Sequence, residues 1–278
     1  MNLFFLTVEL LTFIFGIYVL LYKKELAIVY VPAIIFSRIV ATPIAPASAY
    51  YAMVSLFIIY LIYKNPTFFK ENVFSLLLIV LYSILLTQST DLETIRPGLF
   101  SVTWLFLTIP LIHSIYKKYS RDEVLEELAF SAFIILSIFI LNVLVSSFYG
   151  YSPKLMYGIS SGILFGNLYA TDFNILAFAL FIILLYVINH KKPIYFLAFI
   201  VSLAFIMLSF RRSVMGMSLL GIAVILFIFM FKKNIKNLVL FGGLTAIISF
   251  VVLLNTNFMD VFIERYEQRK LAERELSE

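Results

Sequence analysis

The chain contains no cysteine and only two histidines. Without thiols it forms no disulfide, carries no cysteine nucleophile and offers no thiolate ligands to a metal. A phosphate-binding glycine loop, a dinucleotide-binding glycine pattern, a nucleophile elbow and a metal-ligand cluster are all missing from the sequence. The first apolar run has neither a basic leading segment nor a small-x-small cleavage site, so it reads as a first membrane span and not as a signal peptide. Charge is scarce as well, at 13% of residues, against about a quarter in soluble domains. The net charge of +5 is spread over short loops between apolar runs, which argues against a nucleic-acid surface.

In place of charge there is apolar bulk: 63% of residues are hydrophobic and the mean hydropathy is +1.03. A soluble domain has no interior large enough for so much apolar surface, which makes a bilayer the expected solvent. Crossing it takes about 20 mostly apolar residues as a helix, because backbone polar groups must be satisfied within the segment. A closed barrel would show short alternating strands, and the apolar runs here are continuous. The expected fold class is therefore all-α, a polytopic transmembrane helix bundle of about ten spans. The runs fall near residues 3–21, 27–42, 47–63, 73–88, 99–116, 124–148, 173–189, 194–210, 213–231 and 236–254. Pro43 and Pro46 interrupt the second and third runs, which read either as two short helices or as a re-entrant pair.

Basic residues in short loops favour the cytoplasmic side. Lys23, Lys24, Lys64, Lys70, Lys117, Lys118, Arg121, Lys191, Lys192, Lys232, Lys233 and Lys236 all fall in alternate loops on one side. The other side holds Arg38, Arg96, Lys154, Arg211 and Arg212. The alternation predicts both termini outside the cytoplasm, with a transmembrane domain over residues 1–257 and a charged extracytoplasmic segment over 258–278. DVFIERYEQRKLAERELSE, Asp260–Glu278, reads as a polar or amphipathic helix.

The inner basic residues are nearly all lysine and are explained by topology. The outer set is mostly arginine, whose planar fork binds phosphate bidentately. Arginine near the membrane boundary is costly unless it faces a polar cavity or a partner. Arg38, Arg96, Arg211 and Arg212 therefore suggest an outward cationic pocket for a phosphorylated lipid. Plainer readings stand beside this one. Arg38 can snorkel to headgroups, and Arg96 can pair with Asp91 or Glu93. The adjacent Arg211 and Arg212 are harder to dismiss, because a very short outer turn with two arginines opposes the positive-inside tendency. Glu9 lies within the first run. Asp172 reads most simply as a helix N-cap, and Asn174 opens the same helix. His113 and His190 fall at inner helix ends. Gly158, Gly162 and Gly166 have small-xxx-small spacing, a weak packing signal.

Residues 158–231 carry GNLYATDFNILAFALFIILLY, a short basic loop, and FIMLSFRRSVMGMSLLGIAVILFIF. This stretch resembles the core of the O-antigen ligase and O-antigen polymerase superfamily of bacterial membrane glycosyltransferases. In that family an asparagine lies near the start of one helix, and a later helix ends in a Ser-Arg-small motif. Asn174 matches the first element. Ser209, Phe210, Arg211, Arg212 and Ser213 match the second with a departure, Arg-Arg replacing Ser-Arg; Arg212, directly before Ser213, is the preferred counterpart.

The resemblance implies a GT-C-like fold in the bacterial inner membrane. It also implies a metal-independent, cofactor-free transfer of glycan from a polyprenyl-pyrophosphate carrier to a lipid or glycan acceptor at the periplasmic face, as in lipopolysaccharide biosynthesis. Arg211 and Arg212 would be catalytic, with Arg38, Arg96 and Asn174 binding substrate. The family's large periplasmic loop and its histidine have no counterpart before Glu278, which leads us to expect either a chain incomplete at its C-terminus or a reduced relative without the base. Two other readings use the same cationic residues: a transporter or flippase for an anionic lipid-linked sugar, and a non-catalytic membrane subunit of a polysaccharide assembly complex.

Overall fold

A computed structural model describes residues 2–41, 47–65, 68–87, 107–108, 111–113, 115–149, 155–156, 159–160, 170–209, 212–231, 235–255 and 267. The described chain is helical apart from a minimal antiparallel ladder of β1 (Leu155–Met156) and β2 (Ile159–Ser160), in which Leu155 faces Ser160. Contacts divide the chain into two compact units, residues 1–128 and 129–278.

The first unit opens with α1 (Asn2–Tyr22). Its carboxyl end is closed by Lys23, whose N–H donates to the Val19 carbonyl at 2.8 Å, and by Lys24 at φ 51°. A left-handed residue after the last turn is a common helix stop, usually made by glycine. The expected second run, 27–42, is not one α-helix. It is a 3₁₀ segment (Lys24–Tyr30), α2 (Val31–Phe36) and α3 (Arg38–Ala41) in series. Pro32 sits in the first turn of α2, where its missing N–H costs nothing. Then come α4 (Ala47–Lys64), α5 (Phe68–Glu71) and α6 (Val73–Thr87).

Apolar packing explains the broken segment. Leu26, Ala27, Ile28, Tyr30, Val31, Ala33, Ile34 and Phe36 are all buried, so this stretch is core on nearly every side. Tyr30 meets Phe15 of α1 edge-on at 5.8 Å. α1 also packs on α4: Phe13 lies 5.6 Å from Tyr50, and a Cβ at Gly16 would come within 3.1 Å of Met53 Sδ.

α7 (Arg121–Tyr149) starts in the first unit, and most of its length belongs to the second. The second unit continues with α8 (Ala170–His190), α9 (Pro193–Leu208), α10 (Arg212–Phe231) and α11 (Ile235–Asn255). α8 is its centre, with Phe173, Leu176, Ala177, Leu180, Ile183, Leu184 and Val187 all buried. α8 and α9 form an antiparallel hairpin. Lys191 closes α8, donating its N–H to the Val187 carbonyl at 2.9 Å with φ 52°. Lys192 is extended, as a residue before proline prefers to be, and Pro193 starts α9. The Phe139 ring lies 5.4 Å from Phe173 and 5.2 Å from Phe205, which sets the start of α8 level with the end of α9.

The outward faces remain apolar. Leu10, Ile14, Ile17 and Leu21 on α1, Phe74, Leu77 and Leu81 on α6, and Leu220, Val224 and Phe227 on α10 are all exposed. Their spacing of three and four residues makes each set one stripe along its helix. By length and composition, two of the described helical stretches are able to cross a membrane, Arg121–Val145 and Phe173–His190, and further apolar helices of 10–17 residues accompany them.

Candidate functional site

Asn174 and Arg212 both belong to the second unit. Asn174 lies in the second turn of α8 with its side chain exposed, and Arg212 is the first residue of α10. Because Phe139 contacts both Phe173 and Phe205, the beginning of α8 and the turn from α9 into α10 share one end of the unit. That turn is anchored by Ser209, whose N–H donates to the Phe205 carbonyl at 3.0 Å and whose hydroxyl donates to the Ile206 carbonyl at 2.6 Å. Ser209 is fully buried. A residue that fills two acceptors on the last turn of α9 fixes where the chain leaves the helix, and therefore where Arg212 starts the next one.

The remaining expected site residues are less fully described. Arg38 opens α3 in the first unit. Arg96 and Arg211 lie outside the described residues, as do the side chains of Arg38 and Arg212 and the glycines at 158, 162 and 166. The charged segment 258–278 is also outside them, apart from Glu267. One expectation is corrected: α8 begins at Ala170, so Asp172 lies within the first helical turn and is not the N-cap.

At the opposite end of the same helices the second unit has Tyr186, His190, Lys191, Lys192 and Tyr195. Tyr186 stacks on His190 at 4.4 Å and meets Tyr195 at 4.6 Å, while the Lys192 ammonium lies over the Tyr186 ring at 5.4 Å. His190 also uses Nδ1 against the Tyr186 carbonyl at 3.3 Å. Both histidine contacts are local, made to the residue one turn back. The hydroxyls of Ser202 and Ser218 are fully buried and have no hydrogen-bond partner among the described residues. Such groups are normally satisfied by internal water.

The first unit contains a polar cluster that sequence reading missed. Lys23 Nζ donates to Glu127 Oε1 at 2.6 Å, and the buried Tyr30 hydroxyl donates to Glu127 Oε2. Lys118 Nζ donates to Glu25 Oε1 at 2.6 Å, and the Tyr119 hydroxyl to Glu25 Oε2 at 2.9 Å. Each carboxylate thus receives one ammonium and one phenol. Ser120 and Glu123 form a capping box at the start of α7: the Glu123 carboxylate accepts from the Ser120 N–H at 2.8 Å, and the Glu123 N–H donates back to the Ser120 hydroxyl at 3.3 Å.

Burial pushes the Glu25 carboxyl up, but hydrogen bonds from Lys118, its own backbone and Tyr119, with the Lys118 charge, outweigh it and hold the group below the ordinary carboxylate value. Tyr119 is pushed up to about 12, by burial first and then by donating to, and lying near, the Glu25 carboxylate. A neutralised carboxylate and a phenol that keeps its proton make poor acids and bases near neutral pH, so this cluster is a clamp and not a reaction centre. It ties the end of α1 to the start of α7. The sequence signal for it is the opposite charge of KKEL and SRDEVLEEL, which lysine and arginine alone do not reveal.

Among the described residues no group of three or more histidines, aspartates and glutamates is placed to hold a metal ion. Compared with protein-family models, with curated proteins and with solved structures, the chain matches none.

Proposed function

We propose that this chain is a polytopic membrane protein of about ten spans, with a GT-C-like arrangement, that transfers glycan from a polyprenyl-pyrophosphate carrier to a lipid or glycan acceptor at the extracytoplasmic face of the bacterial inner membrane. Apolar stripes on α1, α6 and α10 support a lipid environment, since soluble proteins rarely leave such contiguous apolar surface in water. The lysine-rich loops support an orientation with both termini extracytoplasmic. One observation carries the functional reading: Asn174 and the turn that leads into Arg212 share one end of the second unit, opposite Lys191 and Lys192. In this reading Arg211 and Arg212 hold the pyrophosphate and stabilise the charge that builds on it as the glycosidic bond to the carrier breaks. Asn174, Arg38 and Arg96 orient the substrate. The chemistry needs no metal, because guanidinium groups supply the positive charge.

The experiment is a glycan-transfer assay in membrane vesicles with the full-length chain and with Arg211→Ala, Arg212→Ala and Arg212→Lys. Each alanine variant is expected to lose about 100-fold or more, the usual cost of removing a transition-state charge contact, with Lys retaining an intermediate rate. Undiminished transfer in both alanine variants would sink the assignment.

A second reading is a transporter or flippase for an anionic lipid-linked sugar. The broken segment Lys24–Ala41, which includes Arg38, favours it, because discontinuous helices line substrate sites in many transporters. Flux of labelled carrier lipid across vesicles, with no glycan transferred, would select this reading.

A further inference from the structure

The two units treat their basic loops differently. In the first, Lys23 and Lys118 are each neutralised by a carboxylate at 2.6 Å. In the second, the loop sequences Asn189–Tyr195 and Phe231–Asn237 read NHKKPIY and FKKNIKN and contain no acidic residue. The starts of α9 and α11 share one end of the unit: Phe241 lies 5.8 Å from Phe196 and 5.5 Å from Phe199. Lys191 is exposed, and among the described residues its ammonium has no acidic partner. Lys191 therefore presents a positive charge that no described carboxylate balances.

Directly beside Lys191 is a groove of about 430 Å³ lined by Val187, Lys191, Pro193, Phe196, Leu240 and Phe241. That volume lies in the range of small-ligand pockets. Among the described lining residues Lys191 is the charged one and the others are apolar. The positive-inside tendency accounts for lysines in a loop but not for an open apolar groove at their base. A ligand matching both features has an anionic head and a hydrocarbon tail.

We propose that this groove binds an anionic glycerophospholipid of the leaflet on the Lys191 side, with the phosphate at Lys191 and an acyl chain along Val187, Phe196, Leu240 and Phe241. Lys192, already lying over Tyr186, adds to the field without having to leave its ring. The proposal rests on the membrane placement and not on glycan transfer, so either one fails without the other.

The test uses the full-length chain in phosphatidylcholine nanodiscs doped with a phosphatidylglycerol probe that carries a photoactivatable acyl chain. Labelled peptides are mapped by mass spectrometry. Labelling is expected on the peptides containing Phe196 and Leu240–Phe241, with a matched phosphatidylcholine probe labelling them several-fold less. Lys191→Gly keeps the positive φ and removes the charge; it should cut labelling about fivefold, the usual contribution of one lysine near an anionic surface. Leu240→Trp fills the groove from its exposed side and should remove the label there while leaving a folded chain. Equal labelling by the two lipids, or labelling unchanged in both variants, overturns the proposal. So does displacement of the probe by millimolar inorganic phosphate, which would make the site a simple anion site.

Discussion

Glu127 accepts a hydrogen bond from Lys23 Nζ at 2.6 Å, across 104 positions of sequence. The lysine side chain is about a third exposed and the glutamate less than a fifth, so the pair stands between a surface ion pair and a buried one. A fully exposed pair contributes less than about 1 kcal/mol, whereas cutting a buried one costs about 3–5 kcal/mol. Glu127→Ala should cost about 2 kcal/mol, because it removes the acceptor that both Lys23 and Tyr30 use. Thermal unfolding of the two single variants and of the double variant Lys23→Ala/Glu127→Ala should give a coupling of about 1 kcal/mol. Strict additivity would show that the contact contributes nothing.

The second carboxylate gives the first unit a pH dependence. The folded-state pKa of Glu25 is below its ordinary 4.5, so its contribution is complete above that value and is lost as pH falls through the folded pKa. Tyr119 is raised from 10.0 to about 12, so its contribution is complete below pH 10.0 and is lost as pH rises toward 12. The thermal midpoint of unfolding should be flat between these limits and fall on both sides. Glu25→Gln should flatten the acid limb and Tyr119→Phe the alkaline one. Because both side chains are only partly buried, the slopes will be shallow. An acid limb unchanged in Glu25→Gln would refute the assignment.

Two glycines of α10 should respond oppositely to the same change. A Cβ at Gly221 would come within 2.4 Å of the Phe181 ring, whereas one at Gly216 would meet nothing within 4 Å. Gly221→Ala must displace the ring or part α8 from α10, at a cost of about 1–3 kcal/mol. Gly216→Ala should be neutral or stabilising by up to about 1 kcal/mol, from helix propensity alone. Paired melting curves in one detergent check both.

Lys24 occupies a left-handed conformation at φ 51°, which costs a residue with a Cβ about 1–2 kcal/mol. Lys24→Gly should relieve it and raise the thermal midpoint. A lower midpoint would mean that the Lys24 side chain makes a contact worth more than the strain.

Much of the helical layout was legible in the residues. The runs 3–21, 47–63, 73–88, 124–148, 173–189, 194–210, 213–231 and 236–254 coincide with α1, α4, α6, α7, α8, α9, α10 and α11 to within a few residues. Each helix satisfies its backbone hydrogen bonds locally, so a long apolar run bounded by polar residues is enough to specify it. The run 27–42 misled because a segment buried on all sides shows no periodicity that distinguishes a continuous helix from a 3₁₀ segment with two short helices. Of the candidate site, the Arg211–Arg212 pair stood out as two arginines in a very short turn, whereas Asn174 and the preference for Arg212 came from the family resemblance. Their common end became visible only through the Phe139, Phe173 and Phe205 rings.

The sequence by itself determined the helices, their apolar faces and the segregation of lysine and arginine between alternate loops. All of these follow from local hydrogen bonding and from residue-by-residue solvation. Tertiary structure alone decided which charges are neutralised. Lys23 finds Glu127 and Lys118 finds Glu25 because the end of α1 and the start of α7 are folded together, and no local rule encodes that meeting. It also decided that Lys191 stands beside an apolar groove, since a groove exists only where α8, α9 and α11 fail to fill the space between them.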